Sequence, residues 1–297
     1  MKKLLFFVFL VTFTAIIQAE STDRRLVLQK LASGHMVADV KIEGITSKFI
    51  IDTGSTSSVI DKALVNKLAL KPIKSDTKVT GYTPGQVEYS MSQYAISGVL
   101  VGDLLTTDVV FVEQDIASAF AGLTESPIGG IFWQEVLATH GLLLDIKARS
   151  LSLPGTDFLK EYIEVPMFMS EIGLPIIELI INHKSVNMII DSGASEVMLD
   201  KNIAITENFG EITYPEGMVG FDETGVERKI GLIENGHILL GGKSMKMHLL
   251  VDDFSNLLSQ VNALGNTKVV GLVGLNTLAE LSAIIDIKNK KLYIKQS

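Results

Sequence analysis

The chain has 297 residues, 47% apolar and 20% charged, with 34 acidic residues against 26 basic ones and a net charge of −8. That composition fits a globular protein with a sizeable core, and the length fits two domains. An acidic chain without a basic stripe argues against a nucleic-acid partner, and a chain without cysteine has no disulfide, no thiol nucleophile and no lipid anchor through an N-terminal cysteine.

Lys2 and Lys3 precede the apolar run LLFFVFLVTFTAII and then Gln-Ala-Glu. A basic start, an apolar stretch of about 14 residues and a small residue before the polar switch predict a secretory signal cut after Ala19. The competing reading is a membrane anchor, for which the run falls short of the ~18–20 residues a spanning helix needs. Without residues 1–19, 24 basic residues stand against 34 acidic ones, a net charge of −10. Export of a cysteine-free chain fits a bacterial periplasmic or secreted protein with no membrane partner after cleavage.

The next element is a strand that ends in FIIDTGSTSSVID, residues 49–61. Three apolar residues lead to Asp52, and Asp-Thr-Gly is good turn chemistry in its own right. One such tripeptide is unremarkable. However, residues 188–200 read MIIDSGASEVMLD, and the chain laid on itself at an offset of 139 aligns Val37–Leu64 with Ile176–Ile203 without a gap. Each copy reads as strand, turn, strand, acidic turn, short strand and helix start, by its period-2 apolar pattern. Asp61 and Asp200 fall at the helix starts, as caps.

The match continues through two hairpins in each copy. KVTGYTPGQVEYS (78–90) faces GMVGFDETGVERK (217–229), with glycines at the tips. GVLVGDLLTTDVVFV (98–112) faces GHILLGGKSMKMHLLV (236–251). Then IGGIFWQEV from Ile128 is set against LVGLNTLAE from Leu272, which pairs Gly130 with Gly274 and makes the second helix about three residues shorter. The aspartates of the last strand pairs, Asp145 and Asp286, stand at an offset of 141 and read as turn residues. The predicted organisation is a signal at 1–19, one half at 21–154, a linker at 155–164 bounded by Pro and Gly, and a second half at 165–297.

Two equivalent halves can pack about a pseudo-two-fold axis, where a residue near the axis meets its own counterpart. Asp52 would then face Asp191. Two carboxyls at close range cannot both ionise easily, so they share a proton and titrate as a pair. One acts as base and the other as acid toward a water and an amide carbonyl. Such a site needs no metal and no cofactor. Other chemistries lack their motifs: GHILLGGKS (236–244) fails the spacing of a phosphate loop, the five histidines (35, 140, 183, 237 and 248) are scattered without a zinc pattern, and no Gly-x-Ser-x-Gly is present.

FIIDTGST and MIIDSGAS, each followed downstream by an apolar-apolar-Gly element, resemble the aspartic proteases over nearly the whole mature chain. The resemblance implies an all-β, bilobal aspartic-protease fold of two homologous retropepsin-like β-barrel halves. It implies that Asp52 and Asp191 are catalytic, that the Thr53 and Ser192 hydroxyls tie the two turns together, and that Gly54 and Gly193 let backbone amides approach the carboxylates. Ser55 would hydrogen-bond Asp52 from outside, which its counterpart Ala194 cannot do. Gly81, Tyr82, Gly220 and Phe221 would belong to two flaps over a substrate. Pepsins place a Trp soon after the first turn, where this chain has Val59 and Ile60, and its only Trp is Trp133. The chain is thus similar to a retropepsin dimer fused into one polypeptide, a bacterial retropepsin-like protease. The implied function is an exported aspartic endopeptidase acting on peptide or unfolded protein, for which a monomer holds a complete site. The alternative is a peptide-binding protein that kept the fold and lost turnover.

Overall fold

A computed structural model describes residues 24–73, 79–82, 88–120, 124, 127–153, 157–221, 227–263 and 268–296. The predicted signal segment lies outside them. Among the described residues no helix is long and apolar enough to cross a membrane.

Strand follows strand because apolar and polar residues alternate along much of each one. Met36–Ile42 buries every apolar side chain and exposes Asp39 and Lys41. The turn into Ile45–Asp52 uses Glu43 and Gly44, both at positive φ, which matches the twist of a two-residue hairpin. Asn182 and His183 repeat that turn between Pro175–Ile181 and Lys184–Ile190.

In the first half six strands close on themselves. Met36–Ile42 pairs with Ile45–Asp52, which pairs in parallel with Ile128–Trp133; that strand pairs with Ser58–Asp61, then Leu105–Gln114, then Gln93–Val101, which returns to Met36–Ile42. Phe49, Phe111 and Phe132 fill the barrel, with ring centroids 5.1–6.0 Å apart. The second half repeats the circuit with Pro175–Ile181, Lys184–Ile190, Val269–Val273, Met198–Asp200, Lys243–Asp252 and Gly231–Leu240. The structure is therefore a bilobal, all-β aspartic-protease fold of two closed six-stranded barrels.

A six-stranded antiparallel sheet joins the barrels. Its order is Arg25–Val27, Ser150–Ser152, Leu143–Asp145, Ile284–Asp286, Lys291–Lys295 and Tyr162–Met169. At its centre Leu144 faces Ile285, so the pseudo-two-fold axis passes through that pair. Tyr162–Met169 begins inside the stretch read as a linker, where residues 162–166 pair with the last strand of the chain. Asp145 and Asp286 accept turn amides from Ala148 (2.8 Å) and Asn289 (3.0 Å).

Asp61 and Asp200 cap helices Lys62–Lys67 and Lys201–Thr206, and each does more. The second oxygen of Asp61 accepts from the amides of Ile116 (3.0 Å) and Ala117 (2.9 Å), and that of Asp200 accepts from Phe254 (3.1 Å). Each cap thereby ties a distant loop to the base of its own lobe.

Candidate active site

Ile45–Asp52 and Lys184–Ile190 run through the barrels and release their acidic turns where the lobes meet. The turns grip each other reciprocally. The Thr53 amide donates to Ser192 Oγ (3.0 Å), and the Ser192 amide donates to Thr53 Oγ1 (3.0 Å). The Thr53 hydroxyl donates onward to the Ile190 carbonyl (2.8 Å), and the Ser192 hydroxyl to the Ile51 carbonyl (2.9 Å). Both residues are 0% exposed, so none of these groups has water as a substitute partner. Thr53→Val keeps the shape and removes the hydroxyl, which leaves the Ser192 amide without its acceptor. We expect urea denaturation to show a loss of about 2–3 kcal/mol.

The grip brings the two carboxyls face to face. A Cβ added at Gly54 would lie 2.3 Å from Asp191 Cγ, and one added at Gly193 would lie 2.8 Å from Asp52 Cγ. Only glycine fits either place. The Gly54 amide donates to Asp52 Oδ1 (2.8 Å), and the Gly193 amide to Asp191 Oδ1 (2.7 Å). The residue after each glycine adds a backbone amide: Ala194 to Asp191 at 3.1 Å, and Ser55 to Asp52.

The Ser55 hydroxyl does not reach Asp52. It donates to the Ser57 carbonyl (2.8 Å), closing the loop that follows the turn. The role expected of that side chain is therefore corrected: it shapes the loop, and the backbone amide meets the carboxylate. Ala194 loses nothing by lacking a hydroxyl, since its amide makes the same contact.

Both carboxyls are partly accessible and both are pushed toward the protonated form. Burial, then the charge of Asp191, raises Asp52 to about 8 despite the amides that favour its anion. Burial raises Asp191 too, opposed by the Gly193 amide and by a hydrogen bond from Asp52. The pair therefore shares a proton between its two carboxyls. It can take a proton at one carboxyl and give one at the other.

One element of the repeat is corrected. Gly130 pairs with Phe49 and Trp133 with Asp52, whereas Gly271 pairs with Met188 and Val273 with Ile190. The counterpart of Gly130 is thus Gly271, and the counterpart of Gly274 is Trp133. Gly129 and Gly130 serve packing: a Cβ at Gly130 would lie 2.2 Å from Phe49 Cε1, and one at Gly129 would lie 2.3 Å from Ser47 Oγ. The helices then start in equivalent places, at Gln134 and Leu275.

The substitution of Trp for Gly changes how the turns are supported. A Cβ at Gly274 would lie 2.5 Å from the Glu196 carbonyl, so the second helix abuts its turn. Its first amides donate to the carbonyls of Ala194 and Ser195, both at 2.9 Å. In the first lobe the Trp133 amide instead donates to Ser58 Oγ (3.1 Å), and its ring packs on Gly173 of the other lobe. Gln134, 2% exposed, has both amide atoms without a partner, and Trp133 Nε1 is likewise unpartnered.

Gly81 and Tyr82 lie on Val79–Tyr82, which pairs with Glu88–Met91; Gly220 and Phe221 lie on Val219–Phe221, which pairs with Glu227–Lys229. The hairpin tips, 83–87 and 222–226, lie outside the described residues. So does the expectation that Tyr82 and Phe221 cover a substrate. No cluster of three or more candidate metal ligands is present among the described residues. His35, read from the sequence as one of five scattered histidines, lies beside Asp191 and Gly193.

Residues 38–132 match the family model described as aspartyl protease. A search of curated proteins finds no match. Among solved structures, the aspartic proteinase of Irpex lacteus is similar with a TM-score of 0.56 at 14% identity, covering 92% of this chain and 97% of that one. Basic 7S globulin from soybean is similar with a TM-score of 0.50 at 10% identity, covering 93% and 95%. The family match covers residues 38–132 in the first lobe, and the fold of both lobes is that of an aspartic proteinase.

Proposed function

We propose that the protein is an exported aspartic endopeptidase, monomeric at the level of one site, that hydrolyses peptide bonds in peptides or unfolded proteins. The observation that carries this reading is the reciprocal placement of Asp52 and Asp191, each against the other's glycine. In the reaction a water held between the carboxyls gives a proton to the ionised Asp191 as its oxygen attacks the scissile carbonyl. Asp52 gives its proton to the carbonyl oxygen. Collapse of the tetrahedral species breaks the C–N bond, the proton on Asp191 goes to the leaving nitrogen, and Asp52 regains a proton from the new hydroxyl. No cofactor or metal enters. Activity requires one proton on the pair, so it falls as pH approaches about 8, where Asp52 ionises.

The test is cleavage of an unfolded protein mixture by residues 20–297 across pH 3–8, with fragments read by mass spectrometry. Cleavage at neutral or acid pH supports the reading; a folded, inert protein overturns it. The second reading, a peptide-binding protein without turnover, is favoured by Trp133. Without a glycine there, the first helix does not clamp the 55–56 turn as the second clamps 194–195, and the two acidic turns are supported differently.

A further inference from the structure

The two acidic turns are backed by different parts of the molecule. Behind the Asp191 turn stands its own helix, which donates from Leu275 and Asn276 to the carbonyls of Ala194 and Ser195. Among the described residues no such bond joins the first helix, Gln134–His140, to residues 55 and 56. The loop there closes on itself, with the Ser55 hydroxyl on the Ser57 carbonyl, and the next residue, Ser58, accepts the Trp133 amide at 3.1 Å. Ser58 is 2% exposed, so water cannot take over that bond. Trp133 is also the register partner of Asp52 in the neighbouring strand. Asp52 and the loop after its turn therefore meet at the same residue.

What Trp133 leans on is the other lobe. A Cβ added at Gly173 would lie 2.8 Å from Trp133 Cζ2, 3.5 Å from its Cη2 and 3.8 Å from Gln134 Nε2. Gly173 sits in a turn with little play. The Ser170 amide donates to the Leu174 carbonyl (2.8 Å), the Gly173 amide to the Ser170 carbonyl (2.9 Å), and the Leu174 amide to Ser170 Oγ (2.9 Å). Leu174 is fully buried and roots the turn in an apolar cluster with Ile176, Ile189 and Leu272. With φ at +84° and the ring against it, position 173 has room only for glycine. The reverse contact is wider and meets no ring: a Cβ at Gly34 would lie 3.3 Å from Ser195 Oγ. The same seam holds three buried polar atoms without partners, Trp133 Nε1 and both amide atoms of Gln134, where the second helix carries Leu275. Such atoms cost stability, so stability alone does not account for the contact.

We propose that Trp133 is a positioning residue that carries the support of the Asp52 turn across the lobe boundary, its indole wedged on the Gly173 turn in place of the helix clamp that backs the Asp191 turn. This deepens the endopeptidase reading and rests on it for its consequence in catalysis. The placing of Asp52 against Asp191 is then tied to the docking of the two lobes, and a displacement at Gly173 reaches Asp52 through the ring. A misplacement of about 1 Å in a reacting group can cost roughly a hundredfold in rate, so the wedge is felt in kcat more than in KM.

The test is a double-mutant cycle of Gly173→Ala and Trp133→Gly, with Trp133→Phe beside it. Gly173→Ala pushes on the ring from the other lobe, and its backbone strain is the same with or without the indole, so it cancels in the cycle. The expected result is that Gly173→Ala lowers kcat about tenfold or more with KM changed less than about twofold, and costs far less once residue 133 is glycine. Trp133→Gly and Trp133→Phe lower kcat in their own right, the glycine variant more. If Trp133→Gly does not fold, the phenylalanine variant, whose ring reaches less far toward Gly173, takes its place in the cycle. Additive losses, a loss confined to KM, or a Trp133→Phe variant with wild-type kcat overturn the proposal. If wild type cleaves nothing, the endopeptidase reading fails on its own, and carboxyl 13C titration decides the role of Trp133. Displacing Asp52 from Asp191 weakens their coupling, so the gap between the two midpoints of the pair should narrow by about 0.5–1 pH unit in Gly173→Ala. An unchanged gap overturns the proposal.

Discussion

Asp52→Asn and Asp191→Asn are each expected to lower kcat/KM on an unfolded protein substrate by about a thousandfold or more. Asparagine has the shape of aspartate and can accept the turn amides at its oxygen, so the Gly54, Ser55, Gly193 and Ala194 contacts survive. What it cannot do is exchange a proton. With Asn at 191 the water has no base; with Asn at 52 the carbonyl oxygen has no acid. The two losses should be of similar size, because groups that work as one unit fail together. Fragments counted against time by mass spectrometry give the rates, and circular dichroism checks that both variants are folded. Full activity in either variant would remove the paired-carboxylate mechanism.

Much of this site was legible because its signals are local and occur twice. The strand-end turns, the cap aspartates and the offset of 139 all follow from short-range periodicity and turn chemistry, and duplication made each reading check the other. The grip of Thr53 and Ser192 came from the family resemblance, and the hydrogen bonds fit it. What failed is what strand pairing decides. The irregularity between Ile128 and Gly130 sets the register of that strand against Ile45–Asp52, and no local signal marks it. Gly130 was therefore matched to Gly274, although the final offset of 141, carried back from Asp145 and Asp286, would have placed Trp133 there. Residues 162–164 look like the end of a linker because the strand they begin is completed only when the last strand of the chain pairs with it. His35 was invisible for a related reason: the acidic turn near it belongs to the other lobe.

The loss of catalysis in Asp52→Asn should come with a gain in stability that depends on pH. In the unfolded chain Asp52 ionises near 4. In the folded protein burial and the Asp191 charge raise it to about 8. Between those values the folded state holds a proton that the unfolded state has released. Stability from this group is therefore complete below about pH 4, falls as pH rises, and is lost by about pH 8. At about 1.4 kcal/mol per pH unit the interval sets a ceiling near 5 kcal/mol. Water reaching the partly accessible carboxyls screens the effect, and a difference on the order of 3 kcal/mol is expected. Asparagine has nothing to ionise, so urea denaturation at pH 4, 6 and 8 should find the variant equal to wild type at pH 4 and more stable by that margin at pH 8. Taking the difference between the two proteins cancels every other titrating group except Asp191, which in the variant no longer faces a second carboxyl. Parallel stability curves across the range would mean that Asp52 is ionised in the folded protein and that the pair does not share a proton. The prediction thus tests the dyad without a substrate, and it locates the cost of the site: the chain is held together less firmly at neutral pH because two carboxyls have been brought where one proton must serve both.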